Sequence, residues 1–317
     1  MKKLIVLATL AALPAVAMAD VSISGNIGVN VQNVKVGKAG STNDMASQEG
    51  DILFKGTEEL GNGLKAVWQV NQLFDTDKNS GAVTKGNTFV GLKGGFGEVR
   101  FGSVNNAPRT IGSVGLADLP TVFGVHTVTT GEAVYKSSRQ RETDGIIFIA
   151  PTVNGLTVAV SHGMKTADRT NKSETAVGVK YVLSDALTLA YSGNNEKLAA
   201  GAGTNKQNEV NAAATFGDVG LNLGYAWNKS AAKKKQNGVA LSGSYAMGAT
   251  TLIAGFYKQN DSKTNGVKAV DGYKNYTLGV NYDLSKRTHV GFEWGKEDRK
   301  ASDKDVRGVA TYIWHSF

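Results

Sequence analysis

Cysteine is absent from all 317 residues, and proline occurs only four times. Without cysteine the chain cannot be a small disulfide-stapled scaffold, so ladders and packing must hold it together. Few prolines beside 39 glycines, with 8% aromatic residues, exclude a collagen, a coiled coil or a disordered tract and fit an all-β chain with many turns. Long hydrophobic runs are also missing. Beyond residue 19 no stretch approaches the roughly 18 apolar residues of a membrane-spanning helix. The four histidines, His126, His162, His289 and His315, show no metal-ligand spacing, so no metal and no cofactor are expected. The glycine-rich GLKGGFG, Gly91 to Gly97, lacks the order of a phosphate-binding loop and reads as a tight turn.

Charge is unbalanced but scattered. There are 35 Lys and Arg against 27 Asp and Glu, a net +8, and setting aside Lys2 and Lys3 still leaves a basic excess. Spread in this way, the excess suits a solvated surface or a pore lining and not a nucleic-acid partner.

What is present begins with Lys2 and Lys3, the apolar run LIVLATLAALPAVAMA, and small residues Ala17 and Ala19. This is the pattern of a secretory signal peptide over residues 1–19, which leaves residues 20–317 as one folded domain. That domain alternates. VSISGNIGVNVQNV sets Val21, Ile23, Ile27, Val29 and Val31 against Ser22, Ser24, Asn26, Asn30 and Gln32. LKAVWQVNQLF opposes Leu64, Ala66, Trp68 and Val70 to Lys65, Val67, Gln69 and Asn71, and VGLNLGYAWN sets Val219, Leu221, Leu223, Tyr225 and Trp227 on one face. The final GVATYIWHSF does the same, with Val309, Thr311, Ile313, His315 and Phe317 on one side. Such runs last about nine to eleven residues, the reach of a tilted strand crossing hydrocarbon.

The runs are joined alternately by short turns (ELGNG, GGFG, PTVNG, LSDA, FGDVG, AMGAT, DLSKR) and by longer polar stretches such as VKVGKAGSTNDMASQ, NKSAAKKKQN and KQNDSKTNGVKAVDG. This asymmetry predicts an all-β, transmembrane, up-and-down antiparallel β-barrel of about sixteen strands, with turns on the periplasmic side and loops outside. The last strand must then pair with the first, because an open edge in lipid would leave backbone groups unsatisfied. Aromatics near strand ends, among them Phe89, Phe101, Phe148, Phe216 and Trp227, are expected in the interfacial girdles.

The third connection is far longer, running from near Gly102 to near Asp144, and is semi-apolar. It is expected to fold into the lumen and narrow it. Asp118 and Glu132 are its central acids, and the facing wall candidates are Lys55, Lys65, Gln69 and Arg100, with Arg139 and Arg141 where the sixth strand begins. Fixed opposed charges of this kind would select permeating solutes by charge.

FKGTEELGNGLKAVWQV (Phe54 to Val70), FVGLKGGFGEVRFGS (Phe89 to Ser103), LSKRT (Leu284 to Thr288) and the terminal Phe317 resemble the general porins of Gram-negative outer membranes, of the neisserial and related β-proteobacterial type. The resemblance implies a sixteen-stranded homotrimeric diffusion channel set among outer-membrane lipids, passing ions and small hydrophilic solutes without a cofactor. It also implies that Phe317 is part of a signal read by the outer-membrane assembly machinery. One departure stands out. Where such porins tend to carry charged lumen residues in the sixth strand, this chain has IIFIAP, with Ile147 and Ile149 at the inward phase. The expected function is passive diffusion with a lean towards anions; the alternatives are a barrel enzyme or an exported, soluble β-rich binding protein.

Overall fold

A computed structural model describes residues 20–77, 84–112, 137–167, 171–300 and 305–317; the expected leader, 1–19, lies outside these. Among the described residues one sheet holds nineteen strands. Three of these are two-residue arms within connections (Thr84–Lys85, Lys263–Thr264 and Val267–Lys268). The other sixteen form the wall: β1 (Asp20–Val36), β2 (Ser41–Gly61), β3 (Leu64–Leu73), β4 (Thr88–Gly94), β5 (Gly97–Asn105), β6 (Arg141–Ile149), β7 (Leu156–Gly163) and β8 (Ser173–Ser184), followed by β9 (Leu187–Lys197), β10 (Thr204–Phe216), β11 (Val219–Lys229), β12 (Lys234–Met247), β13 (Thr250–Gln259), β14 (Tyr273–Asp283), β15 (Thr288–Arg299) and β16 (Val306–Ser316). Each pairs antiparallel with its neighbours in sequence, and β16 pairs with β1 from Asn26↔Ser316 to Val36↔Val306. The barrel is closed.

Burial is inverted relative to a water-soluble protein. On β1, Ile23 is 62% exposed whereas Asn30 is 5% exposed. The same holds on β11, where Leu223 is 53% and Asn222 3% exposed. Hydrocarbon is the solvent for the outer face, so apolar side chains gain nothing by turning inward, while polar ones bond to each other and to water inside. A dry, packed centre is excluded by this arrangement.

The short turns follow from their residues. Asn62 and Gly63, and likewise Asn154 and Gly155, have positive φ. An Asn-Gly pair with both residues left-handed gives the two-residue turn whose twist matches its flanking strands. The long connections differ from expectation in part. VKVGKAGSTNDMASQ is mostly strand, because β1 and β2 run on past the apolar zone and turn only at residues 37–40. NKSAAKKKQN likewise turns only between Lys229 and Lys234. Polar residues alternate as well as apolar ones, and beyond the bilayer a strand pair needs no lipid-facing side. Phe89 is a second correction: its register partner is the inward Gln69, so it faces the lumen and not a girdle.

After β5 the chain forms a short helix, α1 (Ala107–Ile111), capped by the Asn106 side chain accepting from the Arg109 amide at 3.0 Å. It lies against the inner wall. The Ala107 amide donates to the Ser161 hydroxyl on β7 at 2.9 Å. A Cβ at Gly178 on β8 would fall 2.6 Å from the Ala107 carbonyl oxygen, so only glycine permits this approach. Ala107 packs with Val104, Ile147 and Ala159, and Ile111 and Ile149 flank them. Ile147 and Ile149, anomalous as pore lining, are the apolar seat of the third connection.

At the seam the Phe317 and Gly25 amides and carbonyls bond reciprocally, both at 3.0 Å, and the Ser316 hydroxyl donates to Asn26 at 2.8 Å. The Phe317 ring lies over Gly25, where a Cβ would sit 2.6 Å from ring carbon Cζ and 2.4 Å from the Asp51 carbonyl oxygen. At the opposite end of the barrel, Asp261 ties the connection after β13. It accepts from Lys300 at 2.5 Å and from the Gly272 amide at 2.9 Å, and pairs with Lys268 at 3.2 Å. The hydrogen bond from Lys300 is the largest influence holding its carboxyl down, at about 2.

Two outcomes follow. Gly25→Val is expected to destabilise the barrel by about 1–3 kcal/mol through overpacking at the seam, lowering the temperature at which the folded band is lost on a gel, whereas Gly40→Val, with nothing within 4 Å, leaves it unchanged. Because Asp261 is depressed from its ordinary value of 3.8 to about 2, its contribution is complete above the ordinary value and is lost as pH falls through about 2. Pepsin should therefore spare residues 260–272 at about pH 4 and cut them below about pH 2, while Asp261→Asn is cut at both.

Candidate pore constriction

Register fixes which side chains meet inside the barrel. Lys55 on β2 faces Gln69 on β3, and Lys65 faces Lys93 on β4. Arg100 on β5 faces Gly91 on one side and Ile147 on the other. Lys55, Lys65, Gln69, Phe89, Lys93, Glu98 and Arg100 line one concavity of the inner wall. The structure thus brings together four wall residues singled out in the sequence, and adds Lys93 and Glu98.

Their electrostatic situations differ. Arg100 donates from Nε to Glu98 at 2.6 Å, and its guanidinium lies 4.5 Å from the centroid of the Phe89 ring. That stacking fixes the plane of the group while the carboxylate compensates its charge. Lys65 pairs with Glu59 close to the turn, which places it at the short-turn rim. Lys55 has an exposed side chain, and no acid pairs with it among the described residues.

Arg139 and Arg141 stand apart from this group. Arg141 opens β6 opposite Asn105, past a bulge in the β5–β6 register and five residues along β5 from Arg100, or about 17 Å further along the strand at about 3.3 Å per residue. Its Nε donates to the Asn105 side chain at 3.4 Å. Arg139 reaches further round, to Glu209 on β10 at 2.6 Å, with side-chain exposures of 6% and 1%. This buried ion pair, with Ser137 accepting from Asn228 on β11 at 2.9 Å, ties the end of the third connection to the wall opposite its start. Asp118 and Glu132 lie outside the described residues.

The remaining acids of the lumen were not singled out by the sequence reading. Asp51 accepts from Asn26 at 2.9 Å and Asn71 at 2.8 Å, and Glu174 accepts from Asn106 at 2.9 Å. Glu297 accepts from Arg299 at 2.5 Å. Each was visible only as a polar letter at the inward phase of a strand, with no local motif to mark it. What distinguishes them is burial: Glu209, Glu293 and Glu297 are at most 1% exposed, and so are shielded from the aqueous path.

Comparison with known proteins agrees with this geometry. A family model described as Gram-negative porin matches residues 6–302. The major outer membrane protein P.IB of Neisseria gonorrhoeae is 28% identical over the full length of both chains, and that of Neisseria lactamica is 29% identical over the same extent. Among solved structures, an anion-selective porin from Comamonas acidovorans superposes with a TM-score of 0.77 at 20% identity, covering 94% of this chain and 100% of the other. The trimer form of OmpT from Vibrio cholerae superposes with a TM-score of 0.69 at 16% identity, covering 94% and 99%. A closed barrel with an inverted face pattern, a short helix against its inner wall and a family match over most of its length lead to one assignment: the chain belongs to the Gram-negative porins, outer-membrane channels for diffusion.

Proposed function

We propose that this channel passes small hydrophilic solutes and ions down their gradients with a preference for anions, and that Lys55 and Arg100, with Lys65 at the rim, set that preference. The observation that carries the reading is the difference in shielding between the two signs of charge. Most of the described lumen acids are buried, whereas Lys55 projects into a concavity on one quadrant with no acid paired to it, and Lys65 and Lys93 stand exposed there although paired with Glu59 and Glu98. In water an exposed fixed charge acts over the ~8 Å screening length of physiological salt, comparable to the half-width of a narrowed lumen. Arg139 and Glu209 compensate each other, so they act to hold the loop end and not to filter. Arg141 belongs to the candidate constriction in this reading, as do Asp118 and Glu132, which lie outside the described residues.

Among the described residues, the arrangement of the histidines does not support a barrel enzyme. His162 bonds Thr175 and His315 bonds Thr288 on the outer face, and His289 stacks on Trp314 inside, with ring centroids 5.7 Å apart. A nucleophile, base and orienting acid do not converge at any of the three. Residues 1–19 serve in this reading as an export signal, Phe317 as part of the assembly signal, and three copies form the working unit, as in the trimer form of the Vibrio protein.

Two unit charges about 4 Å apart in water interact by about 1 kcal/mol, a factor of about five in partition. Arg100→Glu and Lys55→Glu are each expected to reduce the anion-to-cation permeability ratio by about that factor, read as the reversal potential across a planar bilayer under a salt gradient. An unchanged ratio in both would remove them from the filter. Gly178→Val, which forces α1 off the wall, should change single-channel conductance while the barrel still resists unfolding on a gel.

A further inference from the structure

The inward side chains of β2 to β5 fall in three tiers set by register. The upper tier runs Lys55, Gln69, Phe89 and Gly102, the middle one Thr57, Val67, Gly91 and Arg100, and the lower one Glu59, Lys65, Lys93 and Glu98. Successive tiers lie two residues apart on each strand, so the outer two are separated by about 13 Å at about 3.3 Å per residue. The centre of the middle tier is a dent. Gly91 has no side chain, and any Cβ there would strike the Val99 carbonyl oxygen, so the backbone itself keeps the dent open. Its floor is Gly91 and the short, apolar Val67, on a face that otherwise meets water.

Charged and aromatic groups frame this floor. Lys55 stands above it with no acidic partner among the described residues, while Lys65 and Lys93 stand below, paired with Glu59 and Glu98. Arg100 closes one side. Phe89 lies against its guanidinium, 4.5 Å from ring centroid to the central carbon, and Glu98 accepts from Nε at 2.6 Å, so the plane of the group is locked although its side chain is still 20% exposed. Phe89 is braced in turn by the apolar cluster of Val104 and Ile147. A guanidinium plane stacks on aromatic faces, so a flat ring in the dent would lengthen a stack already begun. The concavity holds about 750 Å³, room for an organic molecule and not only for an inorganic ion.

We propose that the dent is a binding subsite for aromatic monocarboxylates of about the size of benzoate, the ring lying over Val67 and Gly91 beside the Arg100–Phe89 stack and the carboxylate turned up to Lys55. The inference deepens the anion preference described above and rests on it. An inorganic anion would engage the cations and leave the apolar floor in water, whereas a neutral arene would cover the floor and leave Lys55 without a counter-charge. A solute with one flat apolar part and one negative charge satisfies both.

The test is blockade of single-channel current in a planar bilayer by solute added on the short-turn side. Benzoate should block at about tenfold lower concentration than acetate, because its ring covers roughly 50 Å² more apolar surface. Phe89→Leu should cut that ratio to about threefold, and Val67→Gln, which fills the dent with an amide, should bring it to about parity. Lys55→Gln should weaken blockade by both acids and keep their ratio. Lys180→Gln, the loss of an inward charge on β8 opposite Thr157, should leave the ratio unchanged. Open-channel steps in potassium chloride alone verify that each variant has folded. Equal blockade by the two acids in the unaltered channel, or a tenfold ratio kept by both Phe89→Leu and Val67→Gln, would overturn the proposal. The reversal potential reports the anion preference separately: its loss with the benzoate ratio intact removes the filter and not the subsite, and loss of the ratio with the preference intact removes the subsite alone.

Discussion

Hydrocarbon offers no partner to a peptide N–H or C=O, and an unpaired group there costs several kcal/mol. No helix among the described residues is long and apolar enough to span the bilayer, so they can cross it only as a sheet with no edge. From that one requirement come the antiparallel order, the pairing of β16 with β1 and the sorting of side chains by solvent. Interior charges, loop seating and outer-face chemistry are built on a frame that closure has already determined.

The alternation of apolar and polar residues was legible because a period of two assigns every residue of a strand to one of two solvents. Val21, Ile23 and Leu223 could be placed outside, and Lys55 and Arg100 inside, from phase alone. Phase is silent about height. Lys65 shares an inward phase with Lys55 yet sits at the turn rim, and Arg141, whose odd number puts it in phase with Ile147, lies past a bulge that turns Glu142 inward instead, about 17 Å along the strand from the Arg100 level. It is also silent about extent: β2 continues for 21 residues because polar pairs extend the ladder as well as apolar ones once water replaces lipid. Phe89 was misplaced because proximity to a strand end says nothing of the face on which a ring stands.

Ile147 and Ile149 illustrate how a local anomaly carries information about a distant segment. Apolar side chains facing a water-filled lumen would be unfavourable unless covered, and Ala107 and Ile111 cover them. Gly178 then becomes intelligible as the place where the helix backbone meets the wall, and the buried Arg139–Glu209 pair as the tie at the other end of the connection. Removing one member of such a pair leaves an uncompensated buried charge, at a cost of about 3–5 kcal/mol. The two described ends of the connection are thus held to the wall by different forces, apolar contact at one and electrostatics at the other.

The bond between Ser316 and Asn26 joins residues 290 positions apart. No stretch shorter than nearly the whole polypeptide can complete the circle, so synthesis and closure are necessarily separated in time. Until the final strand arrives, all the preceding ones possess at least one open flank and no stable home in oil. The same alternation that hides this protein from a search for greasy helices keeps the unfinished chain wettable during that wait, which reconciles transit through water with a destination in lipid.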